Sequence, residues 1–385
     1  MTDSAPKLVD LFSGCGGFGL GGELAGFDSV VAVDVEPKLQ SAYKLNFPNT
    51  RTVTGDLSTM DDEAWKLLLK NIDVDGVIGG PPCQGYSRQG HSDPEDERRT
   101  LLHHFFRNVN IIKPKFFIME NVEGLMDKKN KYELDNALET VDDCYTVLKP
   151  FIADASEYGA PTKRRRVVVV GYDKNRMEEL TAEDFKAPMV KATVEDAISD
   201  LPSPIAQTKD KDDYGWAAYN STDKLSKYAK RLRKMPNKGF GSKEARKRLK
   251  LGQTSGHFNT VHSAKVAKRY ADTPPGKIDI TSKSKKLEWS GLCPTLKAGT
   301  GSDRGSHQAV RPLHPDYGRV ITVREAARLQ GFPDWFCFHP TKWHSFRMIG
   351  NSVSPIVSEA ILSAVRVKLE FQARCTSQSP KVETK

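Results

Sequence analysis

The chain has 385 residues, of which 38% are hydrophobic and 28% charged, and its formal net charge is +9 at pH 7. This length and composition allow a full hydrophobic core and more than one domain, which excludes fibrous and wholly disordered proteins. No basic-then-apolar leader stands at the N-terminus, and no apolar run approaches the roughly 18 residues that span a bilayer. We therefore expect a cytoplasmic protein that does not enter membranes.

Six scattered cysteines, with no Cys-x-x-Cys pair, indicate reduced thiols rather than a disulfide framework or a structural zinc site. Short apolar runs predict strands at residues 8–12, 30–33, 74–78, 116–119 and 167–170. Helical spacing of apolar residues predicts helices at residues 63–69, 101–112 and 132–141. This alternation indicates an α/β fold: a Rossmann-like, mostly parallel sheet with helices on both faces, and ligands at the carboxyl ends of the strands.

The first predicted strand leads into a glycine-rich turn, Ser13-Gly14-Cys15-Gly16-Gly17, that opens a helix. Glycines let a ligand lie against the backbone, and a helix N-terminus offers unpaired amides. Asp34 and Glu36 follow the second strand, where a ribose hydroxyl pair binds in such folds. Asp56 offers a carboxylate for an adenine amino group. We expect a nucleoside with a short tail, S-adenosylmethionine, rather than a dinucleotide.

The strand ending at residue 78 leads into Gly79-Gly80-Pro81-Pro82-Cys83-Gln84-Gly85, which places one cysteine on a loop bracketed by glycines and prolines. Prolines fix the backbone ahead of the thiol, and glycines admit a ligand or a partner chain. A single cysteine in such a place is either a candidate nucleophile or a small buried hydrophobe. The rest of the chain has to decide between these interpretations.

Composition changes after about residue 191, which indicates a second, smaller domain or a large insertion. Residues 224–250 contain twelve lysines and arginines and one acid, Glu244. Such a block is either a solvated helix face or a surface that contacts phosphates. Further on, Thr322 and Glu325 form a capping-box pattern at the start of a helix that Gly331 ends. A last amphipathic helix is predicted at residues 355–371, followed by a disordered tail at residues 372–385.

Six motifs in order resemble those of the DNA (cytosine-5)-methyltransferases, of the bacterial restriction-modification type. They are residues 12–17, Pro81-Pro82-Cys83-Gln84, Glu120-Asn121-Val122, Lys163-Arg164-Arg165-Arg166, residues 319–331 and Gly350-Asn351-Ser352-Val353. The resemblance covers about 340 residues. It implies a catalytic and cofactor-binding domain at residues 1–190, a target-recognition domain at 191–318, and a return to the catalytic domain at 319–371. Asp34 stands where the family more often has a glutamate, which is one methylene longer.

The resemblance implies a reaction with cytosine. The thiolate of Cys83 adds to C6 and activates C5, Glu120 assists at N3, and Arg164 and Arg166 lie beside a base rotated out of duplex DNA. The expected cofactor-binding residues are Phe12, Gly14, Gly16, Gly17, Asp34, Val35, Asp56, Leu57, Pro82, Leu101, Asn351 and Val353. The expected DNA-binding residues are Gln84, Ser87, Arg98, Arg231, Arg233, Arg246 and Arg248. We expect a monomer that binds double-stranded DNA and is paired in function with a restriction endonuclease.

Two other functions compete with this one. A related branch of the family acts on transfer RNA, but it carries a Cys-Phe-Thr tripeptide that this chain lacks, since Glu123-Gly124-Leu125 follows the acidic motif. A DNA-binding protein without activity would have lost Cys83 or Glu120, and both are present. Residue-level alternatives also stand: Glu120 pairs with an arginine only for structure, Asn351 caps the last helix, and the loop after Cys83 is an ordinary solvent loop.

Overall fold

The structure is a computed structural model, and it describes residues 5–82, 100–220, 224–237, 239–298 and 310–377, with side chains to residue 370. Cys83, Gln84, Ser87 and Arg98 therefore lie outside the described residues. The fold confirms the predicted α/β class, with a mixed sheet that is mostly parallel in its first half.

The main sheet contains eight strands in the order β3-β2-β1-β4-β5-β9-β6, with β7 paired to β9. Its strands are β1 (Lys7–Leu11), β2 (Asp28–Asp34), β3 (Arg51–Thr54), β4 (Gly76–Gly79), β5 (Phe116–Val122), β6 (Tyr145–Val147), β7 (Phe151–Asp154) and β9 (Arg165–Asp173). The first five are parallel, whereas β9 runs antiparallel to β5, β6 and β7. The carboxyl ends of β1, β2, β4 and β5 therefore meet at one edge, where the glycine turn and Glu120 lie.

Helices cover both faces of this sheet because consecutive residues of each strand point to opposite sides. Leu8 packs in a cluster with the helices on one face, while Val9 packs in the cluster on the other. The helices of the first face are α1 (Gly17–Leu24), α2 (Pro37–Asn46) and α12 (Pro355–Ser377). Those of the second are α3 (Asp62–Leu69), α4 (Leu101–Ile112) and α5 (Lys131–Leu138).

The remainder of the described chain consists of loops and shorter helices and strands. They are β8 (Thr162–Lys163), α6 (Val194–Ile198), β10 (Ala217–Ala218), α7 (Lys227–Leu232), α8 (Lys243–Lys250), β11 (Gln253–Thr254), α9 (Ala264–Asp272), β12 (Cys293–Pro294), α10 (Val323–Gln330) and α11 (Lys342–Asn351). Buried side chains of residues 191–298, such as Tyr228 and Leu249, share the cluster that contains Leu8 of β1. This segment thus packs into the common core, and its status as a separate domain stays a prediction.

The capping box predicted at α10 is confirmed, since Thr322 and Glu325 bond reciprocally and Gly331 ends the helix at φ 95°. The prediction of a tail that starts at residue 372 is wrong, because α12 continues to Ser377. Residues 372–374 are glutamine, alanine and arginine, which are good helix formers, so the helix extends by more than a turn.

One helical stretch, Lys342–Glu370, is long and apolar enough to cross a membrane by length and composition. The expectation that no stretch approaches this limit therefore needs correction. The stretch consists of α11 and most of α12, which residues 352–354 separate, and 67% of its most apolar window is buried in the protein. Such burial is typical of the core helix of a globular protein.

Candidate active site

The glycine turn wraps around the carboxylate at the end of β2. The amide of Gly14 donates to Oδ2 of Asp34 at 2.8 Å, and the amide of Glu36 donates to Oδ1 at 2.8 Å. Burial raises the pKa of Asp34, while these two amides oppose that rise. A Cβ built on Gly14 (φ +54°) would meet no other protein atom within 4 Å, so the turn leaves open space beside its backbone. Such a cradle suits a ligand that lies against the chain.

Asp56 and Leu57 follow β3 at the same edge of the sheet. The carboxylate of Asp56 accepts the amide of Ser58 at 2.9 Å, and this bond lowers the pKa of Asp56. The Asp56 side chain is exposed at the cavity wall, whereas Leu57 is buried. The loop thus presents an ionised acceptor next to an apolar side chain, which fits a purine with an amino group.

The end of α11 closes the opposite wall. The chain passes so near that a Cβ on Gly17 would lie 2.5 Å from the carbonyl oxygen of Val353. Arg347 lies one helical turn before Asn351, and its Nη1 is 3.1 Å from Oε2 of Glu36. This ion pair connects α11 with the N-terminus of α2, on the wall that also contains the exposed side chain of Val35.

Glu120 stands near the end of β5, beside the antiparallel strand β9. Its side chain is 9% exposed, and its Oε1 lies 3.1 Å from Nε of Arg166. Arg164, which is 3% exposed, donates from Nη1 to the carbonyl oxygen of Gly350 at 3.1 Å. Alternating arginines of one segment therefore contact the acidic motif and the last motif.

The residues that lead into Cys83 lie against Glu120. A Cβ on Gly80 would be 3.5 Å from Oε2 of Glu120, and Nδ2 of Asn121 donates to the carbonyl oxygen of Pro81 at 3.2 Å. Asn121 thus holds the proline pair against the strand that carries Glu120. Cys83 itself, directly after Pro82, lies outside the described residues.

All these parts surround one cavity of about 400 Å³. Eleven of the twelve expected cofactor-binding residues line it: Phe12, Gly14, Gly17, Asp34, Val35, Asp56, Leu57, Pro82, Leu101, Asn351 and Val353. Glu120, Arg164 and Arg166 line it as well. Gly16 does not line the cavity. It packs against Tyr43 of α2 and against Phe47, which directly follows that helix, and a Cβ on Gly16 would lie 2.6 Å from the ring of Phe47.

Comparison with known proteins decides the family. The family model of the C-5 cytosine-specific DNA methylases matches residues 6–366. The chain belongs to this family. It is 39% identical over 374 residues to the Type II methyltransferase M.XorII of Xanthomonas oryzae pv. oryzae, covering 95% of this chain and 86% of that protein. It is 32% identical to the Type II methyltransferase M.DdeI of Desulfomicrobium norvegicum, covering 95% and 89%.

A solved structure agrees with the family. A protein of an E. coli prophage, described provisionally as a DNA modification methyltransferase, is 40% identical and superposes with a TM-score of 0.85, covering 95% of this chain and 100% of that one. The chain is thus a DNA (cytosine-5)-methyltransferase of the Type II kind. The glycine turn has the spacing Gly-x-Gly-x-x-Gly, at Gly14, Gly16 and Gly19, which is also typical of dinucleotide sites, so the turn alone does not support the expected nucleoside over a dinucleotide. The choice of a methyl donor rests on the family.

The four cysteines whose side chains the structure describes are poor nucleophiles. Burial raises the pKa of Cys15 to about 12, and burial also raises the pKa of Cys144, Cys293 and Cys337. Because the thiolate is the reactive form, none of these four is activated. The described residues also contain no group of three or more His, Cys, Asp or Glu that could hold a metal ion.

Four of the five arginines predicted to contact DNA belong to the described residues, and all four are engaged within the protein. Arg231 pairs with Glu359, Arg233 with Asp200 at 2.5 Å, and Arg248 with Glu244 at 2.5 Å. Arg246 donates to three carbonyl oxygens, those of residues 236, 237 and 240. These contacts favour structural roles for the four arginines. Their contact with DNA stays a prediction.

Sequence reasoning missed several residues of the methyltransferase site. Arg347 was detectable, because it lies four residues before Asn351 on one helix and such residues share a face. Glu36 was placed with Asp34 at the ribose position, but it was left out of the expected cofactor-binding residues, although it lines the cavity. Arg107 and Asn108 of α4 donate to the carbonyl oxygen of Leu57, and they carry no local signal, because this partner is about 50 residues away.

Proposed function

We propose that this methyltransferase modifies C5 of a cytosine rotated out of a specific duplex DNA sequence, with S-adenosylmethionine as methyl donor and a covalent bond between Cys83 and C6. The observation that carries the proposal is the single cavity shared by the glycine turn, the Glu120–Arg166 pair and the residues that lead into Cys83. Rotation of the base is required because C5 and C6 are inaccessible to a side chain within a stacked duplex.

Cys83 is the proposed nucleophile. Its thiolate forms a bond to C6, the π electrons of the C5–C6 bond shift to C4–C5 while those of C4–N3 move onto N3, and C5 becomes an enamine-like carbon that can attack a methyl group. After methylation a base removes the C5 proton, and the returning electrons expel the thiolate. The place of Pro81 and Pro82 on the cavity wall supports this role, because Cys83 follows them directly in the chain.

Glu120 is the proposed partner of N3. Attack at C6 moves electron density toward N3, and a positioned acid lowers the barrier there by hydrogen bonding or proton donation. The strand end fixes the backbone of Glu120, and Arg166 restrains its side chain through the 3.1 Å ion pair. The position of both members of the pair on the cavity wall supports this role over the alternative in which Glu120 pairs with an arginine only for structure.

The residues of the cavity fit S-adenosylmethionine. The open space beside Gly14 accepts a ligand against the backbone, Asp34 and Glu36 lie where ribose hydroxyls would bind, and the exposed carboxylate of Asp56 suits an adenine amino group. When bound, this cofactor supplies an electrophilic methyl group on a sulfonium. Val35 and Leu101 provide apolar walls for the purine, and Asn351 a polar group for the amino-acid tail.

The decisive experiment offers the purified protein two substrates, duplex DNA and transfer RNA, with S-adenosylmethionine labelled in the methyl group. We expect label in duplex DNA only, and bisulfite sequencing of DNA from expressing cells should show one methylated sequence context. Label confined to transfer RNA would overturn the choice of substrate. Label in neither, with intact cofactor binding, would favour the inactive DNA-binding alternative.

We propose that two exposed lysines adjacent to cavity-lining residues, here called the rim lysines, contact DNA phosphates in place of the basic segment 224–250. Lys163 follows the buried Thr162 next to Arg164, and the backbone of Lys297 lies against Gly350, which lines the cavity. The basic segment instead contacts the end of α2 that is remote from the cavity, where the amide of Gly241 donates to the carbonyl of Asn46 at 2.8 Å. Glu36, at the start of α2, is a cavity residue, so the ten residues of α2 separate the two by about 15 Å.

We therefore predict that Lys163→Glu with Lys297→Glu weakens duplex DNA binding and reduces the slope of log K against log salt by about 1 per lysine. The matched variant reverses three exposed lysines on one face of α8, Lys243, Lys247 and Lys250. Fluorescence anisotropy at several salt concentrations measures both slopes. An unchanged slope in the rim variant, with a reduced slope in the α8 variant, would move the DNA surface back to the basic segment.

The working context follows from the family's Type II relatives. We propose that the protein acts as a monomer in the cytoplasm, on nucleoid DNA, and that its methylation protects sites that a partner restriction endonuclease cuts. Methylation of DNA in a heterologous host should then confer resistance to cleavage by an endonuclease of the same sequence specificity.

A further inference from the structure

The loop that carries Asp56 is held from behind by helix α4. Nη2 of Arg107 lies 2.6 Å from the carbonyl oxygen of Leu57 and 3.1 Å from that of Ser58. Nδ2 of Asn108 donates to the same Leu57 oxygen at 3.0 Å. Two successive carbonyls of the loop thus point away from the cavity into donors on one helix.

Asn108 is locked in place by further contacts. It is fully buried, its Oδ1 accepts Nε1 of Trp65 at 2.6 Å, and its Nδ2 also donates to the carbonyl oxygen of His104 at 2.6 Å. Asn108 lies seven residues after Leu101, two helical turns, so the two share a face of α4. Leu101 lines the cavity, which means that one face of α4 supplies a wall and supports the loop behind it.

We infer that Arg107 and Asn108 are positioning residues that set the adenine specificity of the cofactor site by fixing the loop of residues 55–58. The inference rests on the proposed function, because it takes the cavity to bind an adenosyl cofactor. With its carbonyls held, the loop keeps the Leu57 side chain in the wall and Asp56 at the cavity edge. A carboxylate there accepts from an amino-purine and repels a 6-oxo purine, so its position decides between the two bases.

Two probes test this role by calorimetry, S-adenosylhomocysteine and its 6-oxo counterpart, S-inosylhomocysteine. We expect the parent protein to bind the adenosyl compound about tenfold more tightly than the inosyl compound, the size of one charge-assisted hydrogen bond. Arg107→Met should reduce this ratio to about two, although Asp56 is untouched. Arg107→Lys, which keeps one cationic donor, should give an intermediate ratio.

The ratio separates positioning from general loosening, because a merely destabilised protein loses affinity for both probes equally. Arg176→Met is the matched control: Nη1 of Arg176 donates to the carbonyl oxygen of Lys113 at 2.6 Å, beside the other end of α4. Its ratio should equal that of the parent. In a double-mutant cycle, Asp56→Asn should change the ratio less in the Arg107→Met background than in the parent.

Failure of the inference and failure of the proposed function give different results. Parent-like ratios in Arg107→Met, with a clear preference in the parent, would overturn the positioning role and leave the cofactor assignment intact. An additive double-mutant cycle would do the same. A parent protein that binds neither probe would overturn the cofactor assignment itself.

Discussion

Glu120→Gln is expected to slow methyl transfer to duplex DNA by about 10²–10⁴-fold, the usual contribution of one general acid. Glutamine keeps the shape of the side chain and one oxygen for Arg166, but its amide is not an acid that can transfer a proton to N3. Glu120 is buried at the wall of the cavity, so water replaces it poorly. Binding of DNA and of S-adenosylhomocysteine should change little.

Single-turnover rates with labelled cofactor measure this effect, and a duplex that contains 5-fluorocytosine reports the covalent step. The matched control is Glu123→Gln, since Glu123 also pairs with an arginine, Arg165 at 3.0 Å, but both side chains are more than one-third exposed. The rate of the Glu123→Gln variant should stay within about twofold of the parent rate, because an exposed ion pair contributes little. Cys83→Ser should trap no adduct. An unchanged rate in Glu120→Gln would contradict the role of Glu120 at N3.

Local sequence signals were sufficient for the elements that hold this site. Helix α4 occupies the predicted residues, Leu101–Ile112, because its apolar spacing is regular over three turns. The capping box of α10 depends only on residues three apart, so it too was visible in the sequence. The glycine turn and Glu120 could be placed because each directly follows a run of apolar residues in the sequence.

Contacts between distant segments were not predictable from such signals. Arg231 and Arg233 looked like DNA contacts because a one-sided block of charge has no local partner, yet their acidic partners are 128 and 33 residues away. Asn108 similarly appears as an ordinary polar residue until Trp65 and Leu57 pack against it. Periodicity reports which face of an element is buried, but not which distant polar group meets it.

Arg328→Leu is expected to lower the free energy of unfolding by about 3–5 kcal/mol, the cost of leaving buried partners of an ion pair uncompensated. Arg328 is fully buried, with Nε 2.6 Å from Oδ1 of Asp334 and Nη2 3.1 Å from Oδ2 of Asp200. Burial alone would raise the pKa of Asp334, but the charge and hydrogen bond of Arg328, with smaller contributions from Arg324 and Tyr219, together hold that pKa below its usual value. Without Arg328, folding must therefore bury this carboxylate at a penalty.

Urea unfolding followed by circular dichroism measures the loss. Lys131→Leu is the control, because its ion pair with Asp135 at 2.6 Å is about half exposed and should contribute less than about 1 kcal/mol. A loss below about 1 kcal/mol in Arg328→Leu would contradict the prediction. It would mean that Arg324 and Arg233, which also approach Asp334 and Asp200, compensate the two carboxylates unaided.

The double variant Arg328→Leu with Asp334→Asn distinguishes lost attraction from uncompensated charge. If the penalty comes from the buried carboxylate, removing its charge should recover part of the stability, and the two substitutions should be non-additive. Recovery should be incomplete, because Asp200 still loses one of its two arginines and Tyr219 donates to a neutral amide oxygen instead of a carboxylate. This charge cluster joins α10 to the segment after α6. Its loss should therefore also loosen the packing of residues 191–298 against the rest of the common core.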